Sequence, residues 1–215
     1  MKIKLHQLLI LVTLFVFATS CKKKEIQYQF EGLVKSSVDN SAISGAQISL
    51  SQKTVSNGSS SADYSQAAST STGSDGSYSI TILREMVTSF LFEFEKDNYF
   101  DLSVVETSAK YTTDGVNTLN VQMEPKSWIE FKIENTASEE TDHFKLITQT
   151  FREDCLGCAE NRTYDFYGAL DTTITYVTTG GKYVKFTYVD VTNAISATDS
   201  LYATPFETEI YSISY

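Results

Sequence analysis

Residues 128–134 read Trp-Ile-Glu-Phe-Lys-Ile-Glu, and the two-residue rhythm of that stretch decides the fold class. Ile129, Phe131 and Ile133 fall on one side of an extended chain, and Glu130, Lys132 and Glu134 on the other. Successive strand side chains point to opposite faces, so the stretch reads as a strand with one face on a core and one in water. The rhythm recurs upstream in Ile26/Tyr28/Phe30, Ala46/Ile48/Leu50, Tyr78/Ile80/Ile82, Phe90/Phe92/Phe94 and Leu119/Val121/Met123. Asp39-Asn40, Asp75-Gly76, Asp97-Asn98 and Asp114-Gly115 punctuate these runs with turn chemistry. No segment keeps a helical period over three turns. With 13 Tyr, 13 Phe and only 2 Pro, the composition also favours strands. The expected class is all-β, as two consecutive β-sandwich (Ig-like or prealbumin-like) domains.

Downstream, strands are expected over Phe144 to Phe151, Thr163 to Tyr167, Thr172 to Thr178, Tyr183 to Val191 and Phe206 to Tyr215. Thr179-Gly180-Gly181-Lys182 reads as a hairpin turn. Pro125-Lys126 divides the chain into residues 26–125 and 126–215. Within the first part the alternation disappears into Ser, Thr, Ala and Gly over residues 53–73. That composition predicts a mobile loop, because it offers little apolar surface to offset the entropy of ordering it.

The N-terminus carries an address. Lys2 and Lys4 precede the apolar run Leu8 to Phe17, and Ala18-Thr19-Ser20 lead into Cys21. Basic, apolar and small residues in that order make a secretory signal, and the apolar run is shorter than the ~20 residues a membrane span needs. The cleavage region resembles the lipobox of bacterial lipoproteins, with Ala18 where Leu is usual. The resemblance implies a signal peptide of residues 1–20, lipid on Cys21 and a tether of residues 21–25. Lys22 in place of the Asp that retains many such proteins in the inner membrane points to the outer membrane, with the face left open. The membrane, reached through lipid on Cys21, is then one partner.

All 27 acidic residues lie beyond residue 20, whereas two of the 17 basic ones lie before it. The formal charge therefore falls from −10 to about −12 on cleavage. A chain this acidic, with Lys22-Lys23-Lys24 as its only cationic cluster, is a poor nucleic-acid binder.

Three short motifs in the first part resemble the carboxypeptidase regulatory-like (transthyretin-like) sandwich. They are Phe30-Glu31-Gly32-Leu33-Val34, Ala42-Ile43-Ser44-Gly45-Ala46-Gln47-Ile48-Ser49-Leu50 and Ser74-Asp75-Gly76-Ser77-Tyr78-Ser79-Ile80. Phe94-Glu95-Lys96-Asp97-Asn98-Tyr99 is similar to the family's late aromatic turn, with Asn98 where Gly is usual. The resemblance covers about residues 26–124 and implies a non-catalytic accessory sandwich. No family resemblance is recognised in the second part.

Candidate chemistry is sparse. Cys155-Leu156-Gly157-Cys158 lacks the βαβ setting of a redox motif, and Ala159 stands where haem attachment needs His. A zinc site would need two more ligands, and His143 is the only histidine after residue 20. A short-range disulfide is the preferred reading, with redox chemistry and metal binding as its rivals. His143 follows Glu139-Glu140-Thr141-Asp142, which reads as a solvated loop before a catalytic triad, and no G-x-S-x-G is present. Glu93/Glu95 and Glu207/Glu209 would suit glycoside hydrolysis but alternate like polar strand faces. Calcium at Asp97-Asn98 is a weaker idea still. Asp171-Thr172-Thr173 and Asp199-Ser200-Leu201 match an O-glycosylation acceptor pattern, although both are ordinary turn chemistry. The expectation is therefore a non-catalytic envelope protein that binds a protein partner or a glycan, without metal or cofactor. The rival is a hydrolase sited in the second part.

Overall fold

The computed structural model describes residues 25–136 and 139–215. Residues 1–24, and with them Cys21 and the expected signal peptide of residues 1–20, lie outside the described residues. Among the described residues sixteen strands form two β-sandwiches, with no α-helix and a 3-10 turn at Ser108–Lys110.

The first sandwich comprises β1 (Gln27–Ser36), β2 (Gln47–Ser56), β3 (Ser59–Ser60), β4 (Ser65–Ser71), β5 (Ser77–Leu83), β6 (Val87–Glu95), β7 (Leu102–Thr107), β8 (Val116–Thr118) and β9 (Val121–Met123). One sheet has β1 at its centre, antiparallel to β5 and parallel to β8 and then β9. The other runs β4-β2-β6-β7, with β3 folded back on β2. Phe30, Phe90, Phe92 and Phe94 are fully buried between the sheets, as the alternation requires. Phe30 meets Phe90, Phe92 and Tyr111 edge-on, with centroids 5.0–5.3 Å apart. Each such side chain contributes about 1.5–3 kcal/mol on burial, so the Phe row of β6 dominates this core.

The second sandwich comprises β10 (Lys126–Glu134), β11 (His143–Gln149), β12 (Thr163–Tyr167), β13 (Asp171–Thr179), β14 (Lys182–Asp190), β15 (Ile195–Ala203) and β16 (Thr208–Ser214). Its sheets run β13-β10-β16 and β12-β11-β14-β15. Ile129, Phe131 and Ile133 are buried against Phe144, Leu146, Val184 and Phe186.

Two expectations need correction. The Ser-rich stretch is not a loop. β4 pairs with β2 from Gln47↔Ser71 to Gln52↔Ser65, with a bulge at Leu50/Ser51. Asn57 and Gly58, at φ 52° and 79°, turn β2 into β3 as a two-residue hairpin. Beyond β4, the buried Thr72 hydroxyl donates to the Ile43 carbonyl at 2.6 Å and accepts from the Ala46 N–H at 2.9 Å. Nor is residues 179–182 a hairpin turn. β13 pairs with β10 and β14 with β11 and β15, so Gly180-Gly181 carries the chain from one sheet to the other. A Cβ on Gly180 would lie 2.8 Å from Pro205 Cα, and one on Gly181 would lie 2.5 Å from the Val38 side chain. Small size at those positions lets the second sandwich pass close to its own 205 loop and to the first sandwich.

The chain crosses between the two cores at Pro125-Lys126 under heavy restraint. The Gly180 N–H donates to the Pro125 carbonyl at 2.8 Å, Lys126 N–H to Asn98 at 2.7 Å and Phe206 N–H to Lys126 at 2.8 Å. Tyr99 of the first sandwich packs edge-on against Phe206 of the second at 5.2 Å. The Arg152 guanidinium lies 3.9 Å over the Phe100 ring and ion-pairs with Glu124, which Lys182 also reaches at 2.7 Å. Burial alone would push the Glu124 carboxyl up; the hydrogen bonds and charges of Lys182 and Arg152 outweigh it and hold the group below the usual carboxylate range.

A carboxyl with a depressed pKa in the folded state stabilises the structure fully above its unfolded value and loses that contribution as pH falls through the folded value. The junction should therefore hold at neutral pH and loosen only in acid below the ordinary carboxylate range, read as a rising radius of gyration in small-angle scattering. Arg152→Ala should remove the ring contact, at about 1–2 kcal/mol, and bring the same loosening at neutral pH. An unchanged scattering curve for Arg152→Ala would show that the backbone bonds alone hold the sandwiches together.

Candidate functional site

The outward face of the β12-β11-β14-β15 sheet brings charged and aromatic side chains together. Phe144, Leu146 and Thr148 of β11 point to the core, so His143, Lys145, Ile147 and Gln149 point out. In β14 the buried Val184 and Phe186 leave Tyr183 and Lys185 outside, and β15 presents Tyr202, Ser200 and Thr198 opposite Tyr183, Lys185 and Thr187. The result is an open surface of hydroxyls, two lysines and aromatic rings.

Two clusters stand out on it. At the end farther from Lys126, β11 and β12 pair His143 with Tyr167 and Lys145 with Asp165. The imidazole stacks on the Tyr167 ring at 4.3 Å and 18°, and its Nε2 lies 2.7 Å from Asp165 Oδ1. Lys145 Nζ approaches the same oxygen at 3.2 Å. The hydrogen bond from His143, followed by that from Lys145, holds the Asp165 carboxyl below its ordinary range. The turn after β14 closes beside them, with the His143 N–H on the Thr192 hydroxyl at 2.9 Å and the Val191 N–H on the His143 carbonyl at 2.9 Å. Nearer Lys126, Tyr183 and Tyr202 meet at 5.1 Å, with Tyr183 68% exposed. Both clusters offer flat, wettable rings of the kind that carry contacts to partners. The His143 ring has a carboxylate on one nitrogen, and no Ser, Thr or Cys side chain among the described residues is hydrogen-bonded to it.

The other candidates are dispersed. Cys155 and Cys158 are disulfide-bonded, with Cα atoms 5.3 Å apart, in the loop between β11 and β12. That loop lies along the edge of β13, where Gly157 accepts the Val177 N–H at 2.8 Å, and it also carries Arg152 to the junction. Glu93 and Glu95 stand on the outward side of β6, Glu93 accepting from the Ser49 hydroxyl at 3.2 Å. Glu209 lies on β16, and Glu207 just before it. Asp97-Asn98 is a turn with Asn98 at φ 64°, and among the described residues no group of three His, Cys, Asp or Glu is placed to hold a metal ion. Thr172 is in register with the buried Ile133 on the core-facing row of β13, whereas Ser200 is exposed on β15. Asp199-Ser200-Leu201 is thus strand, not turn, and Asp199 accepts from the Tyr211 hydroxyl at 2.7 Å.

Sequence reasoning did not foresee the His143–Asp165–Lys145 cluster or the two tyrosine positions. The strands that carry them were legible, but the register between β11 and β12 was not, and register alone decides which outward side chains meet.

No protein-family model matches the chain, and no curated protein does either. Similar solved structures include the Bacillus anthracis TIE protein, at 8% identity over 88% of this chain and 34% of that one, with a TM-score of 0.39. A streptococcal ancillary pilin matches at 11% identity over 88% of this chain and 62% of its own, with a TM-score of 0.36. The 3-chlorocatechol 1,2-dioxygenase of Rhodococcus opacus 1CP matches at 8% identity over 48% of this chain and 61% of its own, at 0.35. The chain spans about a third of the first of these proteins and under two thirds of the other two. At such identities and scores the likenesses carry no argument about what this chain does.

Proposed function

We propose that this chain is a lipid-anchored outer-membrane protein without catalytic turnover of its own, in which the first sandwich is a spacer and the second binds a glycan or a protein. The first sandwich is read as carboxypeptidase regulatory-like, from its motifs at residues 30–34, 42–50 and 74–80. The observation that carries the binding role is the open β12-β11-β14-β15 face, with Tyr183–Tyr202 and His143–Tyr167 at its two ends. Spacing supports it as well. β1 runs ten residues, about 33 Å, from the tethered end to the junction, so the binding face stands well clear of residue 25.

Purified residues 22–215 should bind an envelope glycan saturably, or co-purify with one outer-membrane protein. Tyr183→Ala and Tyr167→Ala should each weaken that binding about 10-fold or more without lowering thermal stability, as for aromatic residues that carry an interface. Binding unaffected by both changes would remove this face from consideration. The hydrogen bond between His143 and Asp165 is what favours the rival hydrolase. Turnover of ester, glycoside or peptide substrates that disappears in Asp165→Asn would establish that reading instead.

A further inference from the structure

We infer that the pole of the first sandwich formed by Ile26, Leu83, Met86 and Val116 rests on the bilayer surface, so that the tether fixes an upright orientation as well as an attachment. The inference rests on the lipid-anchor reading of Cys21 and deepens it.

Exposed apolar side chains of the first sandwich are unevenly placed. Six large ones are exposed: Ile26 at 54%, Val38, Leu83 at 52%, Met86 at 73%, Val105 and Val116 at 49%. Val38 faces Gly181 at the junction. Four of the other five gather where the chain enters the fold. Leu83 is in register with Gln27 and Val116 with Gln29, on the outward side of the β5-β1-β8 sheet. Ile26 accepts the Arg84 N–H at 2.9 Å, and Met86 follows two residues later, its carbonyl bonded to the Val55 N–H at 2.7 Å. Ile26 and Val116 line one shallow depression together with Arg84 and Gly115.

Chain length then limits what can cover this pole. From Cys21 to Glu25 there are four residue steps, which reach at most about 14 Å when fully extended. With lipid on Cys21, the pole stays within about 14 Å of the lipidated residue, against a headgroup layer of about 5–8 Å per leaflet, so this end of the molecule is the one held at the bilayer surface. Apolar side chains in that position contribute roughly 25 cal/mol per Å² that they bury among acyl chains. Lys22-Lys23-Lys24 beside Cys21 add attraction to anionic headgroups, but the charges of the pole itself are mixed, Arg84 and Lys53 against Glu25, Glu85 and Asp114, so apolar contact is what sets the orientation. β1 leads away from this pole to the junction, and β14 leads on from Lys182, beside Glu124, to Asp190. Ile195, opposite Asp190 on β15, therefore marks the end farthest from the bilayer.

The test uses the full lipidated chain in vesicles of phosphatidylethanolamine and phosphatidylglycerol with brominated acyl chains. A fluorophore is placed at Met86→Cys or at Ile195→Cys. The label at 86 should be quenched several-fold more by brominated than by plain vesicles, with the label at 195 unchanged. In the Met86→Cys background, Leu83→Asp with Val116→Asp should abolish the quenching while the protein still floats with vesicles and keeps its melting temperature. Flotation without quenching at 86 would overturn the pole contact and leave the anchor standing. Equal quenching at both positions would mean the molecule lies flat and would also overturn it. Shielding of the label from iodide without quenching by bromine would mean a protein covers the pole, again against the inference. Failure of the unaltered chain to float would remove the anchor and the pole contact together.

Discussion

Replacing residues 57–71 by a short Gly-Ser linker should lower the unfolding free energy of the first sandwich by several kcal/mol. The segment holds β3 and β4, and β4 is matched to β2 at six positions from Gln47↔Ser71 to Gln52↔Ser65. A ladder hydrogen bond is worth about 1 kcal/mol net, and most of those bonds would be lost. Ala68 packs on the core, and the Tyr64 hydroxyl meets the Ser89 hydroxyl at 2.9 Å, so side-chain contacts go with them. Shortening the connection would recover little, because closure entropy depends only weakly on loop length. The exposed edge of β2 would also become a template for pairing between molecules, so the variant should self-associate. Calorimetry and sedimentation together read both effects. A change below about 1 kcal/mol with no association would show that β4 is only loosely attached.

That segment also shows where the sequence ran short. The core rows of β1, β2, β5, β6 and β10 were legible because large apolar residues alternate with polar ones there. β4 reads Ser-Gln-Ala-Ala-Ser-Thr-Ser; at a sheet edge its core side needs only Ala68 and Thr70, too small to register as a period. Asn57-Gly58 carried the missing signal, since that pair is the strongest short-range mark of a two-residue hairpin. The serines that follow it, Ser59 to Ser61, hide that signal. β15 is hidden for a similar reason: Ser196, Thr198 and Ser200 face water, and in the alternate row Ala197 is small and Asp199 polar and exposed. Gly180-Gly181 misled in the opposite direction. Two glycines between strands suggest a hairpin, but here they answer close approach, to Pro205 on one side and Val38 on the other.

The surface clusters were out of reach for a different reason. His143 and Asp165 lie 22 residues apart, and Tyr183 and Tyr202 lie 19 apart. Each pair is assembled by strand register, a long-range property that alternation does not encode. The junction is more hidden still. Arg152 sits in an irregular loop, and only the folded path of that loop brings it over Phe100.

Phe131→Ala should cost about 3–5 kcal/mol, the usual range for deleting a fully buried Phe, and the loss should fall on the second sandwich. The ring meets Phe186 edge-on at 4.8 Å and reaches Phe151, Tyr176 and Tyr211 within 6.4 Å, so both sheets and the disulfide-bearing loop lean on it. Neighbouring rings on two rigid sheets cannot collapse into the space, which places the cost toward the upper end. Trp128, the only tryptophan, lies three residues away on β10, so its fluorescence reports this sandwich alone. Phe92→Ala, in the separate core of the first sandwich, serves as the counterpart. If each core unfolds by itself, Phe131→Ala shifts the Trp128 midpoint and Phe92→Ala leaves it in place. Should both changes shift it equally, the Arg152–Phe100 and Glu124–Lys182 contacts would be coupling the two cores into one cooperative unit. Adding Arg152→Ala to Phe92→Ala should then restore the separate behaviour, because it removes the ring contact and one of the two cations on Glu124.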